Sequence, residues 1–475
     1  MPSNDDMRFY VDGAWVDRPD AARIAVYNPY SEEVIGHVAA GSPADVDLAV
    51  AAARRAFGSF SQASVVDRLA LLTRIKELLE ERSEQFAQAI VAEMGAAIGF
   101  ARAGQCHFGI EHVRAAIEVL RDFEFETQVN GIHVRKEPVG VVAAITPWNW
   151  PLYQITAKVA PAIAAGCTVV LKPSELSPFS ALLFAQVMHD AGTPPGVLNL
   201  VNGSGEVVGA AMAAHPDVDM VSFTGSTRAG VLVAQAAAPT VKRVIQELGG
   251  KSPNVFLPDA DFASAVPKGV LGATRNVGQS CAAPTRMVVP RSRLAEVEGL
   301  AAEAAATIIV GDPLDEQTML GPLANKAQFA KVQELIQSGI DEGAKLVCGG
   351  PGLPQGLNHG YFARPTIFSE VTTDMRIAQE EIFGPVVVLQ PYEDEEDAIR
   401  IANATVYGLS SHVQSADQEA ARRFARRIRA GQVHINYPAW SPYAPFGGYK
   451  MSGNGREYGL FGVEEYLEVK AILGY

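Results

Sequence analysis

The stretch that decides the fold is Val218-Asp-Met-Val-Ser-Phe-Thr-Gly-Ser-Thr-Arg228, in which a mostly apolar run ends at a Gly-Ser turn. The run predicts a strand over 218–223, and the pattern that follows predicts a helix over 228–238. Similar patterns on either side predict strands at 141–145, 166–172, 197–201 and 242–246, with helices at 180–191 and 207–215. Strands that alternate with short helices are typical of a parallel sheet, whose ligand crevice lies at the carboxyl ends of its strands.

A second α/β pattern occupies roughly residues 255–445. The apolar runs predict strands at 286–290 and 386–389, and helices at 293–307, 325–342 and 416–429. Before the first pattern we expect short strands within 8–40 and then helices from about 44 to 121; the tail 466–473 is a further strand candidate. The sequence therefore predicts an α/β protein of two lobes with a cleft between them.

Two local patterns lead to specific expectations. In the helix predicted over 65–82, the leucines share one face and Arg68 is expected to stay in solvent. The segment from Gly140 to Ala157 carries no formal charge, but Pro147, Asn149 and Pro151 interrupt it. We therefore expect a buried strand that runs into an irregular loop, and no membrane span.

The composition argues against several classes of protein. The 475 residues include 39 Lys and Arg against 53 Asp and Glu, a net charge of −14. A surface of that sign repels phosphate backbones and anionic lipid, so neither nucleic acid nor a membrane is expected as a partner. The four cysteines lack the spacing of a zinc site and are too few for a disulfide framework, which predicts no metal and a cytoplasmic location. The polar start Met1–Met7 indicates no secretory signal.

Two segments at strand ends favour a nucleotide site. Phe223-Thr-Gly-Ser-Thr227 ends a strand and opens a helix, where Ser226 is placed to meet a phosphate or to act as an ordinary helix cap. Lys172-Pro-Ser-Glu175 follows another strand of the same sheet, where an acidic side chain accepts ribose hydrogen bonds; the alternative is a solvated Lys172–Glu175 ion pair. Gly205 and Gly209 stand in a GxGxxxG spacing, which fits a tight turn as well as a pyrophosphate loop.

Three further residues are candidates for catalysis. Cys281 is surrounded by small residues that leave room for a substrate, although a lone cysteine is more often an inert buried residue. Glu247 follows a strand and precedes two glycines, as a general base or as a surface turn residue. Asn149 lies between two tryptophans and two prolines, as a donor to an oxyanion or as a structural turn residue. None of the three decides the function alone.

Seven segments, taken together, resemble the NAD(P)-dependent aldehyde dehydrogenase superfamily, in its order and over nearly the whole chain. They are Pro147-Trp-Asn-Trp-Pro151, Lys172-Pro-Ser-Glu175, Phe223-Thr-Gly-Ser-Thr227, Glu247-Leu-Gly-Gly-Lys251, Gly278-Gln-Ser-Cys281, Glu381-Ile-Phe-Gly-Pro385 and Pro445-Phe-Gly-Gly-Tyr-Lys-Met-Ser-Gly453. Each segment is common on its own, but seven in order leave little room for chance.

The resemblance implies a mechanism of aldehyde oxidation. The Cys281 thiolate would attack the aldehyde carbon, which needs a thiol pKa below its free value of about 8.5. Asn149 and the Cys281 backbone N–H would hold the oxyanion, and hydride would pass to the nicotinamide. Glu247 would then activate the water that hydrolyses the thioester. Lys158 and Glu457 match positions proposed to relay protons and receive a supporting catalytic role.

The resemblance also implies which residues contact the ligands. NAD is expected in preference to NADP, because the charge of Glu175 would repel a 2′-phosphate. Lys172 and Glu175 would hold the adenosine ribose, Ser226 the pyrophosphate and Glu381 the nicotinamide ribose, with Phe383 near the nicotinamide. The other expected cofactor contacts are Ile145, Trp148, Gly205, Gly209, Phe223, Gly225 and Leu248. The expected walls of the aldehyde tunnel are Trp150, Tyr153, Gln154, Ala157, Ser280, Trp440 and Phe446.

The neutral, aromatic character of the expected tunnel predicts an uncharged medium-chain or aromatic aldehyde as the substrate. Ala157 stands where many relatives carry a bulky aromatic side chain, so the tunnel is expected to be wider here. A CoA-acylating enzyme is the main alternative, but it usually lacks a match to Glu247. A non-catalytic relative would be expected to have lost Cys281 or Asn149.

The family architecture implies two Rossmann-like lobes and a small β oligomerisation arm. The expected NAD-binding domain comprises 1–117 and 139–248, the catalytic domain 249–445, and the arm 118–138 with 446–475. A homotetramer or homodimer is expected, because the run 467–473 would be an exposed edge if it stayed unpaired.

Overall fold

The computed structural model describes residues 5–475. The expectation of no secretory signal rests on the polar start Met1–Met7, and residues 1–4 of that start lie outside the described residues. Within the described residues, no helix is both long and apolar enough to cross a membrane. No three His, Cys, Asp or Glu side chains of residues 5–475 are grouped so that they could hold a metal ion.

The first part of the chain consists of short strands followed by helices. The strands are β1 (Asp5–Asp6), β2 (Arg8–Val11), β3 (Ala14–Asp17), β4 (Arg23–Tyr27) and β5 (Val34–Ala39). The helices are α1 (Pro43–Phe60), α2 (Val65–Glu81), α3 (Ser83–Met94), α4 (Ile98–Phe100) and α5 (His107–Asp122), with a π-helical segment, Ala101–Cys106, between the last two. Ser42 and Asp45 form a capping box that fixes the start of α1.

The middle of the chain alternates between strand and helix, as expected. Its strands are β6 (Glu126–Val129), β7 (Ile132–Pro138), β8 (Val141–Ile145), β9 (Thr168–Lys172), β10 (Leu198–Leu200), β11 (Met220–Thr224) and β12 (Arg243–Glu247). Its helices are α6 (Pro151–Ala165), α7 (Phe179–Asp190), α8 (Ala210–Ala214) and α9 (Thr227–Ala237).

The last part forms the second lobe and the tail. Its strands are β13 (Pro253–Phe256), β14 (Arg286–Pro290), β15 (Lys345–Cys348), β16 (Thr366–Ser369), β17 (Val386–Tyr392), β18 (Ser410–Gln414), β19 (Gln432–Ile435), β20 (Gly453–Asn454) and β21 (Leu467–Ile472). Its helices are α10 (Phe262–Thr274), α11 (Leu294–Ala306), α12 (Lys326–Asp341), α13 (Arg376–Gln379), α14 (Glu395–Asn403), α15 (Gln418–Ala425) and α16 (Gly459–Glu464).

Two large sheets carry the two lobes. The first has the order β20-β12-β11-β8-β9-β10-β2-β3, and its five central strands are parallel. The second has the order β15-β16-β17-β14-β13-β18-β19 and is parallel except at β15. Alternate residues of β8 face opposite cores: Val142 and Ala144 pack with α2, α5, α6 and α7, whereas Val141 and Ala143 pack with α1, α8 and α9. A parallel sheet covered on both faces explains why its strands are apolar throughout.

Two local expectations are wrong. Arg68 is buried rather than solvated: its guanidinium donates to the carbonyl oxygen of Ala164 and lies over the ring of Phe125. The loop expected through Ala157 ends at Trp150, because Pro151 starts α6 instead of interrupting it. Proline is tolerated at the first helical position, where its missing N–H has no partner to lose.

The arm is a three-stranded antiparallel sheet of order β21-β7-β6. The tail strand pairs with β7 of its own chain, with Val469 opposite Lys136. One side of the tail strand is therefore covered within the chain, and β21 is still an outer strand of its sheet. Val469 and Leu473 are 68% and 79% exposed, respectively.

Candidate active site

The strand ends of the two lobes face one cleft. Asn149, Glu175, Ser226 and Leu248 lie in the segments that follow β8, β9, β11 and β12, at the carboxyl edge of the first sheet. In the second lobe, Cys281 lies in the segment just before β14. A cavity of about 180 Å³ lies between them. Of the expected site residues, it is lined by Trp148, Asn149, Gln154, Gly225, Ser226, Leu248, Cys281, Glu381 and Phe383.

The segment before Cys281 has an unusual backbone. Asn276, Val277 and Gly278 all have positive φ, at 56°, 60° and 71°. A Cβ on Gly278 would come within 2.0 Å of the carbonyl oxygen of Gly384, so glycine is required there for steric reasons as well. A β-branched residue such as valine seldom adopts this conformation, so the surrounding structure must hold it. The Cys281 loop is therefore held in a fixed and strained path.

A network of amides orients Asn149. Its side-chain Nδ2 donates to the backbone carbonyl oxygen of Gln279 at 2.9 Å, and its backbone carbonyl oxygen accepts from Asn276 Nδ2 at 2.9 Å. Gln105, from the π-helical segment, donates to the Asn149 carbonyl oxygen at 3.3 Å and to Asn276 Oδ1 at 3.0 Å. A primary amide has two N–H groups, so one remains for a ligand when the other is bound by Gln279. Sequence reasoning did not find Gln105, because it lies in a helix far from any motif.

The surroundings of Cys281 oppose the lowered thiol pKa that the expected mechanism needs. Burial raises the pKa of this thiol, and the carboxylates of Glu381, Glu247 and Glu457 raise it further. The hydrogen bond from the backbone N–H of Ala282 acts in the opposite direction and is outweighed. The site as it stands therefore favours the thiol over the thiolate.

Glu247 lies in a buried group of charges with Lys158 and Glu457. The Nζ of Lys158 lies 2.5 Å from Oε1 of Glu457, and both side chains are almost fully buried. Burial raises the pKa of Glu247 well above its usual range; the charge of Glu457 raises it further and that of Lys158 opposes the shift. Within the described residues, Oε2 of Glu247 has no hydrogen-bond partner. An unpaired carboxyl oxygen of this kind is available to a water molecule.

The residues expected at the adenosine end lie near one another. Lys172 is buried and donates to Glu175 Oε2 at 3.0 Å and to the carbonyl oxygen of Pro173 at 2.9 Å. The ion pair considered from the sequence is therefore present, but its lysine is not solvated. A Cβ on Gly209 would lie 3.9 Å from the Lys172 side chain, whereas nothing lies within 4 Å of one on Gly205.

The residues expected at the phosphate and nicotinamide end also lie in the cleft. Ser226 caps α9 by accepting from the N–H of Ala229 at 3.2 Å, so the helix-cap interpretation is correct, and Ser226 also lines the cavity. Glu381 accepts from the N–H of Gly250 at 2.9 Å. The rings of Phe383 and Trp148 meet edge to face at 5.5 Å.

Two of the expected cofactor residues lie within the first sheet. Ile145 and Phe223 are buried partners on neighbouring strands, β8 and β11. The cavity has further walls that were not among the expected cofactor or substrate contacts. They are Thr224, Gly249, Gln328 and Lys331.

The expected tunnel walls form an apolar cluster beside Cys281. Tyr153, Ala157 and Phe446 are buried members, and Trp150, Trp440 and Cys281 pack against them. Ser280 accepts from the indole N–H of Trp150 at 2.9 Å.

Three aromatic residues of this cluster were not predicted from the sequence. Phe108 stacks on Trp440 at 4.4 Å, His112 contacts the Tyr153 ring at 4.4 Å, and the Tyr458 hydroxyl lies 2.5 Å from that of Tyr153. Phe108 and His112 are four residues apart on α5, a spacing that placed them on one helical face. Ala157, His112 and Tyr458 border a small cavity of about 10 Å³.

Comparison with known proteins identifies the family. The model described as the aldehyde dehydrogenase family matches residues 15–472. The chain belongs to the aldehyde dehydrogenase family. A similar aldehyde dehydrogenase, 3-succinoylsemialdehyde-pyridine dehydrogenase of a Pseudomonas species, is 55% identical over 473 residues, which cover 99% of each protein.

Solved structures of aldehyde dehydrogenases are also similar. Aldehyde dehydrogenase C (AldC) of Pseudomonas syringae, in a Cys-to-Ala variant complexed with NAD+ and octanal, is 66% identical with a TM-score of 0.98; the match covers 98% of this chain and 96% of that one. An aldehyde dehydrogenase of Mycobacterium tuberculosis complexed with NAD+ is 40% identical with a TM-score of 0.96, covering 99% of each. The predicted family and the α/β fold class are confirmed, and NAD+ in these relatives agrees with the predicted cofactor.

Proposed function

We propose that this protein oxidises an aldehyde to the carboxylic acid with NAD as the oxidant, through a thioester on Cys281. The observation that carries the proposal is the common cavity of Cys281, Asn149 and the expected nucleotide residues. The charge of Glu247 raises the pKa of the same thiol, which supports its assignment to this reaction centre. The domain division 1–117 with 139–248, 249–445, and 118–138 with 446–475 is part of this proposal.

The residues of the cleft fit NAD. Thr224 Oγ1 is buried without a partner among the described residues, and it faces the cavity that Ser226 and Gly225 also line. The partly exposed carboxylate of Glu175 is placed to accept ribose hydrogen bonds. Its charge would disfavour a 2′-phosphate, while its pairing with Lys172 weakens that effect, so we expect a preference for NAD with some use of NADP. When bound, NAD+ supplies the hydride acceptor of the reaction.

Acylation would use the Cys281 and Asn149 groups. The Cys281 thiol gives up its proton to solvent, its sulfur forms a bond to the carbonyl carbon, and the C=O electron pair moves to the oxygen, which becomes negative. The free N–H of the Asn149 amide and the backbone N–H of Cys281 then donate to that oxygen. One donor of this kind typically contributes about 2.7–4 kcal/mol to lowering the barrier. Loss of the carbon-bound hydrogen as hydride, for which bound NAD+ would be the acceptor, would restore the C=O bond and leave the thioester on Cys281.

Hydrolysis would use Glu247. Its carboxylate takes a proton from a water molecule whose oxygen attacks the thioester carbon. The C–S bond then breaks and the acid leaves. The proton held by Glu247 passes to the departing sulfur, which regenerates the Cys281 thiol and the Glu247 carboxylate. The buried pair of Lys158 and Glu457 would position Glu247. It would also influence how readily Glu247 ionises, because the charge of Glu457 raises the pKa of Glu247 and that of Lys158 lowers it.

The substrate would be an uncharged medium-chain or aromatic aldehyde. The tunnel walls are aromatic, and Lys158, the cation nearest to them in sequence, is neutralised by Glu457 at 2.5 Å. A charged substrate group would therefore find no free partner among these walls. The octanal of the AldC complex is a medium-chain aldehyde, and the semialdehyde in the name of the Pseudomonas relative carries an aromatic ring, so both fit this class.

Replacement of Cys281 tests the proposal. We expect Cys281→Ala to abolish NADH formation from octanal, measured by absorbance, while Cys348→Ala, which removes a partly exposed cysteine outside the cleft, retains it. NADH formation at a normal rate by Cys281→Ala would refute the mechanism. Product analysis of the unmodified enzyme with and without CoA separates the acid from a thioester product. An acyl-CoA product would overturn the hydrolytic step and favour the CoA-acylating alternative.

The arm supports a proposal about assembly. The outer strand β21 exposes Val469 and Leu473, and an exposed apolar edge strand is stable only when covered. We therefore expect a homodimer or homotetramer. Light scattering that finds a monomer at micromolar concentration would contradict it.

A further inference from the structure

A second cavity lies behind the loop that follows β12, and none of its lining residues belongs to the cleft. Its volume is about 10 Å³. Lys251, Ser252 and Ser410 line it, and each is at most 2% exposed. Within the described residues, Lys251 Nζ, Ser252 Oγ and Ser410 Oγ all lack a hydrogen-bond partner. Three unpaired buried polar atoms at one cavity indicate a missing ligand, because such atoms are costly to leave without partners.

The same cavity is rich in positive charge. Arg286 lines it and is 1% exposed. The guanidinium donates to the carbonyl oxygens of Lys251, Ile401 and Ala402 at 2.9, 3.0 and 2.9 Å, and to Gln390 Oε1 at 3.1 Å. All four acceptors are uncharged, so the hydrogen bonds of Arg286 are satisfied but its charge is not compensated. Lys251 adds a second buried positive charge.

The carboxylates that act on Lys251 lie outside the cavity. The described residues that line the cavity include no Asp or Glu, and they include a further cation, Arg429. Two carboxylates act on Lys251 from a distance, but each is engaged elsewhere: Glu381 accepts from the N–H of Gly250, and Glu380 pairs with Arg376 at 2.6 Å. Burial, with the charge of Arg286, lowers the pKa of Lys251 to about 7. Buried charges without a counter-charge are strongly unfavourable.

We propose that the cavity bounded by Lys251, Ser252, Arg286 and Ser410 binds a single monatomic anion of the chloride type. The Lys251 ammonium and the two serine hydroxyls would donate to it, and Arg286 would contribute its charge. The volume corresponds to about one water-sized sphere, which excludes phosphate, sulfate and carboxylates. A water molecule would satisfy the polar atoms, since a serine hydroxyl also accepts, but it would bring no negative charge to Arg286 and the protonated form of Lys251.

The position of the site gives it a consequence for the cleft. Lys251 directly follows Gly250, whose N–H donates to Glu381, and Glu247 lies four residues before Lys251. An anion that holds the Lys251 side chain would fix the loop that follows the proposed general base at the end of β12. Binding of chloride would therefore stabilise the folded enzyme, since a ligand that binds only the folded state raises its stability.

Bromide in a crystal of the full-length enzyme tests the site directly, without any variant. Bromide replaces chloride at halide sites and scatters anomalously. We expect an anomalous peak within hydrogen-bonding distance of Lys251 Nζ and of the Ser252 and Ser410 hydroxyls. A water molecule there, with no anomalous signal in high bromide, would overturn the proposal.

The line width of the chlorine-35 NMR signal tests the site in solution. We expect Lys251→Met to weaken chloride binding by about tenfold or more, because it removes a charged donor. Lys268→Met, which removes an exposed lysine of α10, should leave the chloride affinity unchanged and is the matched control. Equal chloride affinities of the two variants would refute the assignment. If Lys251→Met does not fold, the double variant Ser252→Ala and Ser410→Ala, which keeps both cations, should weaken chloride binding in the same titration, and unchanged affinity would again refute it.

Discussion

Replacing Gly250 by alanine tests how closely the loop after β12 must approach the proposed nucleophile. A Cβ on Gly250 would lie 2.3 Å from the backbone carbonyl oxygen of Cys281 and 3.3 Å from the Cβ of Leu409. Ordinary contact begins near 3.4 Å, so about 1 Å of movement is needed to relieve the clash. Gly250 is not among the residues with positive φ, so alanine would add no backbone strain and the effect is purely steric.

The movement falls on the residue that must be placed most accurately. A misplacement of about 1 Å at a reaction centre can cost roughly 100-fold in rate. We expect Gly250→Ala to fold with a loss of about 1–3 kcal/mol in the free energy of unfolding and to lose about 100-fold in kcat/KM. NADH absorbance with octanal measures the activity, and urea denaturation followed by circular dichroism measures the stability.

The control is Gly272→Ala in α10, where an added Cβ meets nothing within 4 Å. This change should leave kcat/KM unaltered and raise the stability by about 0.5–1 kcal/mol, because alanine is the better helix residue. A folded Gly250→Ala enzyme with kcat/KM within about threefold of the unmodified one would show that the Cys281 backbone does not need this close approach, and the steric argument would fail.

Three further predictions concern the buried carboxyl groups. Lys158→Met should lower the free energy of unfolding by about 3–5 kcal/mol in urea, because it leaves Glu457 buried without its partner at 2.5 Å; an unchanged urea midpoint would contradict this. Under the proposed mechanism Glu247 must be ionised, so the rate of thioester hydrolysis should rise with pH through a pKa well above the usual 4.5. Glu247→Gln should keep the NADH burst but slow turnover in stopped-flow measurements. Equal loss of both phases would exclude a purely hydrolytic role. Glu93→Ala should cost about 2 kcal/mol in thermal or urea unfolding, since its carboxylate accepts from the N–H groups of Phe179 and Ser180 at 2.6 and 3.1 Å, and Glu93→Gln should recover part of that loss.

The first lobe could be predicted from the sequence because its strands are buried on both faces. Such strands appear as continuous apolar runs, and 141–145 coincides with β8. The site residues at the carboxyl ends of those strands followed from the topology of parallel sheets. The second lobe was harder. The β18 strand, Ser410–Gln414, is mostly polar in sequence and yet almost wholly buried, so its side chains give no periodic signal. Its first residue, Ser410, lines the proposed anion cavity.

Other properties depend on contacts that only the folded chain reveals. Arg68 follows the charge pattern of a solvated helix face, but its partner carbonyl, that of Ala164, is remote in sequence. The His112 side chain belongs to the aromatic cluster only because α5 packs beside α6. The pKa of Cys281 could not be inferred from its small neighbours, because the charges that shift it come from Glu247, Glu381 and Glu457, on three distant segments.

The direction of that shift has a consequence for the order of the proposed steps. Glu247 is among the carboxylates that raise the pKa of the Cys281 thiol, and the repulsion acts equally on both groups. A thiolate and an ionised Glu247 therefore disfavour each other in the free enzyme. Because its surroundings keep the free thiol neutral, this repulsion acts only while the thiolate exists, during the attack on the aldehyde. Once the sulfur is bound to carbon in a thioester, it can no longer carry a negative charge, so an ionised Glu247 meets no opposing anion there. The order of the proposed steps therefore separates the two anions, because the thiolate is consumed before the charged form of Glu247 is needed for hydrolysis.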